Sequence, residues 1–121
     1  MKKYEIVLSW ILRIIIALGF LLASSAKLLS DPGVVELFKN WGFPNGFHLL
    51  IGALELILAV MILIPKTLKV AIFGLLIIMV GALITHLIND PISNIIRPLI
   101  FMIFLGLVFY FNFKQARSIQ K

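Results

Sequence analysis

The chain contains no cysteine, which removes disulfides, thiolate nucleophiles and cysteine-ligated metal centres from anything it does alone. Thiol chemistry would need a partner's sulfur. Charge is scarce as well: only 13% of the 121 residues are Asp, Glu, Lys or Arg, while 62% are hydrophobic and the mean hydropathy is +1.14. Soluble domains carry about 25% charged residues, so this chain belongs in a lipid bilayer, its first partner. No phosphate-binding loop, dinucleotide fingerprint, Ser-His-Asp set or zinc-ligand spacing occurs. The chain therefore offers no catalytic residue and no metal site, and an autonomous enzyme is not expected. The net charge of +6 invites a nucleic-acid reading, yet the basic residues sit at the ends of apolar runs and no RNP, zinc-finger or basic-helix pattern accompanies them. Headgroups and topology explain them better, and no nucleic-acid partner is expected.

Four long apolar runs joined by short polar connections fill most of the sequence. At about 1.5 Å of rise per residue, roughly 20 apolar residues cross a hydrocarbon layer about 30 Å thick. The fold class is therefore all-α: an integral membrane four-helix bundle, one domain over residues 1–121, with helices at about 6–26, 47–64, 70–87 and 98–113. Lys2 and Lys3 ahead of an apolar stretch ending in Ser24-Ser25-Ala26 also have the outline of a cleavable signal peptide. A retained helix is preferred, because Arg13 interrupts the run and Arg13, Ala17, Phe20, Ser24 and Lys27 step along one helical face. Residues 27–46 form the only long connection. Asp31-Pro32-Gly33 starts a short amphipathic helix there, in which Val34, Val35, Leu37, Phe38 and Trp41 alternate with Glu36, Lys39 and Asn40. In the third run the small and polar residues Gly74, Gly81, Ala82, Thr85 and His86 gather on one side with Ile78, the side expected to pack. Asn89-Asp90-Pro91 ends that run, and Ser93 to Arg97 leads into the last, Phe-rich helix, which is expected to face lipid.

One carboxylate, Glu55, lies near the middle of the second run, on a narrow side shared with His48, Gly52 and Ala59. Charges in such helices face a bundle interior or a wet cavity and find partners. Arg13 lies nine residues after Tyr4 and Glu55 ten before Pro65, so antiparallel helices place them at one depth and predict a pair. A register-fixing ion pair and a ligand or proton site both fit. Toward the other end, Lys27, His48 and His86 share a second level, with Ser24, Thr85 and Arg97 in reach. A small polar ligand would sit there. Two histidines could also hold a haem or metal, but terminal-turn histidines more often bond backbone or headgroups.

An ordered series of these residues resembles the DoxX-like family of small four-helix membrane proteins. It comprises Arg13, then Lys27-Leu28, Gly42-Phe43-Pro44, Ile51-Gly52-Ala53-Leu54-Glu55 and Gly81-Ala82-Leu83-Ile84-Thr85-His86, with Ser25 standing where the pattern often has glycine. The resemblance implies a polar centre of Arg13, Lys27, Glu55 and His86. It implies a non-autonomous subunit or quinone-proximal accessory of a membrane redox complex, with no intrinsic cofactor, a quinone as ligand, and a membrane or peripheral oxidoreductase as partner. A homo-oligomer stays open. A membrane chaperone or assembly factor is the alternative, and a small-solute transporter comes third because no internal repeat or broken helix pair is evident.

Lys2, Lys3, Lys66, Lys69, Lys114, Arg117 and Lys121 fall on one side of such a bundle, against Lys27, Lys39 and Arg97 on the other, where Asp31, Glu36 and Asp90 offset them. Positive charge marks the cytoplasmic side, so both termini are expected in the cytoplasm of a bacterial inner membrane, with the amphipathic helix in the first outer loop. The lack of cysteine makes a clean test available. A cysteine at Asn40 should react with an impermeant maleimide on intact cells, and labelling only after permeabilisation would reverse the topology.

Overall fold

The computed structural model describes residues 2–89 and 95–120, with side chains through Phe113. Asp90, Pro91, Ser93 and Lys121, and the side chains of Lys114 and Arg117, lie outside the described residues. Five α-helices and no strand occur among the described residues: α1 (Lys3–Leu28), α2 (Pro32–Asn40), α3 (Phe47–Met61), α4 (Leu68–Asn89) and α5 (Ile96–Gln120), with a 3₁₀ turn at Pro65–Thr67 before α4.

Each helix end has a local cause. At the start of α1 the Lys2 backbone N–H donates to Glu5 Oε1 at 3.1 Å, half of a capping box. Asp31 caps α2 by accepting from the Val34 N–H at 3.4 Å, with Pro32 in the first turn, where a missing N–H costs nothing. Gly46 enters α3 with φ 85°, a backbone that side-chain-bearing residues avoid. Helix α3 stops at Met61 rather than the expected Ile64, because Pro65 forces the residue before it into extended geometry (Ile64 φ −102°, ψ 119°). Helix α5 runs past its apolar stretch to Gln120, since no glycine or proline follows Phe113 to break it.

Packing joins α1 to α3, α3 to α4, α4 to α5 and α5 back to α1, a closed ring of four, while α2 lies across one end on α1 and α3. That end is called the α2 end, and the opposite one the terminal end. Three helical stretches, Lys3–Leu28, Pro65–Asn89 and Ile96–Phe113, are long and apolar enough to cross a membrane, and α3 is a shorter apolar helix. The terminal half of the bundle is filled by Leu12, Ile16, Ile62, Leu68, Ala71, Ile72, Leu75, Leu105 and Val108, all buried. Helix α4 packs through its bulky residues and through Gly74 of the expected small side, where an added Cβ would lie 2.7 Å from a Leu58 methyl, while Gly81 on that side faces open space. Bulky apolar residues lie outside that side as well, so in lipid the small residues alone do not mark the buried face and volume complementarity decides it.

Two ties fix α1 against α3. At the α2 end the helices touch at Gly52, where an added Cβ would lie 2.8 Å from Lys27 Cβ and 3.4 Å from the Leu28 backbone nitrogen. At the other end Arg13 Nε donates to the Ile62 carbonyl at 2.7 Å, and the guanidinium lies 3.7 Å from the centre of the Trp10 ring. Ile62 caps the C-terminus of α3, where the last carbonyls have no partner within the helix. Thr67 Oγ1 satisfies the neighbouring Met61 carbonyl at 2.9 Å. Arg13 thus serves the end of α3, and the expected pairing with Glu55 is not formed. Ile62 lies seven residues beyond Glu55, about 10 Å along the axis. The equal-depth estimate fails because α1 has 26 residues and α3 only 15, so α1 continues well past the point where α3 stops.

Gly52→Ala should overpack the α1–α3 contact and destabilise the protein by about 1–3 kcal/mol, read as a lower melting temperature in mild detergent. Wild-type melting in that variant would mean α1 does not rest on Gly52.

Candidate functional site

Above the filled half, the bundle opens. Gly19, Ala23, Ala26 and Ala82 are among the residues that line a cleft of about 970 Å³ between the four helices at the α2 end. Its lining on α1 runs from Gly19 to Lys27, eight residues or about 12 Å of depth. Phe20 and Met79, both buried, form the floor, with Phe101 of α5 packed on Phe20 at 5.1 Å between ring centres. Beneath them Ile16, Leu75 and Leu105 have no exposure at all, so the cleft is closed toward the terminal end.

The polar groups lie at the upper part of this apolar space. Lys27 Nζ sits 2.8 Å from Glu55 Oε1. Contact between α1 and α3 at Gly52 makes this reach possible, since Glu55 follows Gly52 by three residues, about one helical turn. The Glu55 side chain is 3% exposed and that of Lys27 is 18% exposed, so the carboxylate is sealed behind the ammonium and the ammonium faces the cleft. A buried carboxylate in an apolar helix needs such a partner. His86 of α4 and Arg97 of α5 complete the rim. Trp41, just past α2, stands edge-on to His86 at 5.3 Å between ring centres and ties the end-lying helix to the rim.

Of the residues singled out in the sequence, Lys27, Glu55, His86 and Arg97 thus share one cleft, while Arg13 lies in the opposite half. His48 turns away from it, with Nε2 3.0 Å from Ser30 Oγ and its ring against Phe38. Ser24 and Thr85 spend their hydroxyls on their own helices, donating to the Leu21 carbonyl at 3.0 Å and the Gly81 carbonyl at 2.8 Å. Such back-bonding is common for hydroxyl residues within helices.

Sequence reasoning missed Phe101, which had been assigned to lipid, and a second buried polar set in the terminal half. There Glu5 and Ser9 are each 1% exposed, and Asn112 donates to Ser9 Oγ at 2.7 Å and to the Val108 carbonyl at 2.8 Å. Stepping back from Arg13 by fours along α1 reaches Ser9 and Glu5, so the signal was present.

Compared with known proteins, residues 11–108 match the family model described as DoxX-like. No curated protein and no solved structure matches the chain.

Lys27→Met should strand a carboxylate in apolar surroundings and destabilise the fold by about 3–5 kcal/mol. Glu55→Gln should cost less, because the released ammonium already faces the cleft. Combining Lys27→Met with Glu55→Leu should recover most of the loss. Thermal melts in one detergent compare all three, and a Lys27→Met variant melting with the wild type would show that the pair does not hold the helices.

Proposed function

Since the chain belongs to the DoxX-like family, we propose that it is a non-autonomous subunit or quinone-proximal accessory of a membrane redox complex. In this reading it sits in the bacterial inner membrane with both termini cytoplasmic, and the cleft opens outward. The observation that supports it is the cleft itself: apolar walls that end in the Lys27–Glu55 pair, His86 and Arg97. Ligand sites are commonly mostly apolar hollows of about 300–1,000 Å³ with a few placed polar groups.

A quinone fits that description. Its carbonyl oxygens accept hydrogen bonds, which Lys27 and Arg97 can donate, and its hydrocarbon tail matches the surface of Phe20, Met79 and Phe101. Bound there, a quinone would supply two-electron chemistry, with a partner oxidoreductase as the electron source. The chain's own part is to bind and orient: Glu55 holds the Lys27 ammonium, and the floor keeps water out of the terminal half. The same closed floor disfavours a transporter, since fully buried Ile16, Leu75 and Leu105 block the way through.

The test is purification of the full chain in mild detergent, followed by mass spectrometry of bound lipids, quinones and proteins. A quinone and an oxidoreductase should co-purify, and Ala23→Phe, which fills the cleft, should reduce the quinone about tenfold without loss of the folded protein. A client protein without redox cofactors, and no quinone, would replace this reading with that of an assembly chaperone.

A further inference from the structure

Charge around the cleft is unbalanced. Among the described residues Glu55 is the single carboxylate of its lining, and Lys27 takes up that charge at 2.8 Å. Arg97, on α5 at the same rim, is exposed and makes no hydrogen bond or ion pair with any described residue. Among the described residues the other acids at the α2 end do not answer it: Asp31 caps α2, and neither Asp31 nor Glu36 lines the cleft. An unpaired guanidinium, a second cation on the facing helix α1 and apolar walls below them describe an amphiphile with an acidic head. A guanidinium offers a fork of donors matched to carboxylate or phosphate oxygens, and a site with low-dielectric walls strengthens the attraction.

We propose that the cleft takes a single-chain amphiphile whose head is an anion, a carboxylate or a phosphate monoester. The head lies between Lys27 and Arg97, and the chain runs down over Phe20, Met79 and Phe101. This rests on the reading of the cleft as a ligand site, and it places an anionic amphiphile there in preference to the quinone. Glu55 then acts as a positioning residue: it holds the ammonium in place and also competes with the ligand for it. Removing the Glu55 charge should therefore raise anion affinity, an effect opposite in sign to that of a lost contact.

The experiment is native mass spectrometry of the full chain released from a neutral detergent, with three probes: dodecyl phosphate, neutral decyl benzoquinone and inorganic phosphate. Dodecyl phosphate should bind about tenfold better than the neutral quinone. Arg97→Gln, an exposed position whose replacement leaves packing intact, should abolish that preference. Glu55→Gln should strengthen dodecyl phosphate binding severalfold. Equal or better binding of the neutral quinone, blocked by Ala23→Phe, would overturn the anionic head and leave the cleft as a ligand site. Inorganic phosphate binding as tightly as dodecyl phosphate would overturn the role of the walls and make the ligand a free anion. Failure of all three probes to bind a folded wild-type chain would overturn the cleft as a ligand site.

Discussion

The close approach of α1 and α3 at Gly52 is the contact on which the rest of the bundle depends. A side chain there would meet the Lys27 Cβ and then the backbone behind it, so only glycine lets the two helices come this near. One turn further along α3, Glu55 meets the Lys27 ammonium, and a carboxylate in the middle of an apolar helix becomes tolerable. Ion pair and helix contact reinforce one another: the pair needs the approach, and the approach leaves no other partner in front of Glu55. Arg13 at the other end of α3 fixes the same register through a backbone carbonyl.

From that register follows a bundle with two unlike halves. In one, Ile, Leu and Val side chains from all four helices fill the interior; the other holds the cleft, with small residues such as Gly19, Ala23, Ala26 and Ala82 in its walls. Dense packing gives the first half its fixed shape. The open half has the hollow and the charges, and its floor is the last layer of the dense half. Rigid support beneath a polar rim is the arrangement that holds binding groups in place without a loop to carry them.

Much of this was legible in the sequence. Hydropathy showed the helices, the steps from Arg13 to Lys27 showed the buried face of α1, and Asp31-Pro32 marked the start of α2. Of the level expected to hold Lys27, His48 and His86 with Arg97 in reach, Lys27, His86 and Arg97 line one cleft, because each lies near a helix end where position along the bundle can be counted from the turn, while His48 turns to Ser30. Glu55 was misplaced for the opposite reason. Its depth had been counted from Pro65, and the chain leaves the helix at Met61 and folds through a 3₁₀ turn before α4, a shortening that no residue count reveals. The packing face of α4 was legible only in part: Gly74 marks its contact with Leu58 of α3, but lipid and core are both apolar, so its bulky residues offer no contrast to read. Phe101 was lost in the same way among the phenylalanines of α5.

The shortness of α3 has a consequence for the surrounding lipid. Fifteen residues make a cylinder of roughly 22 Å, well under the hydrocarbon thickness of about 30 Å, while α1 and α4 beside it are long enough to span. The apolar residues after Met61, with Ile64 exposed, lengthen the greasy surface but not the helix. Acyl chains next to α3 must therefore shorten or tilt, at a cost of fractions of a kcal/mol for each ångström of mismatch. Such thinning would be confined to the α3 flank of the molecule. Lipid deformation of this kind draws the protein toward thinner membrane and favours any neighbour that covers the α3 flank, because contact there lets the bilayer recover its resting thickness.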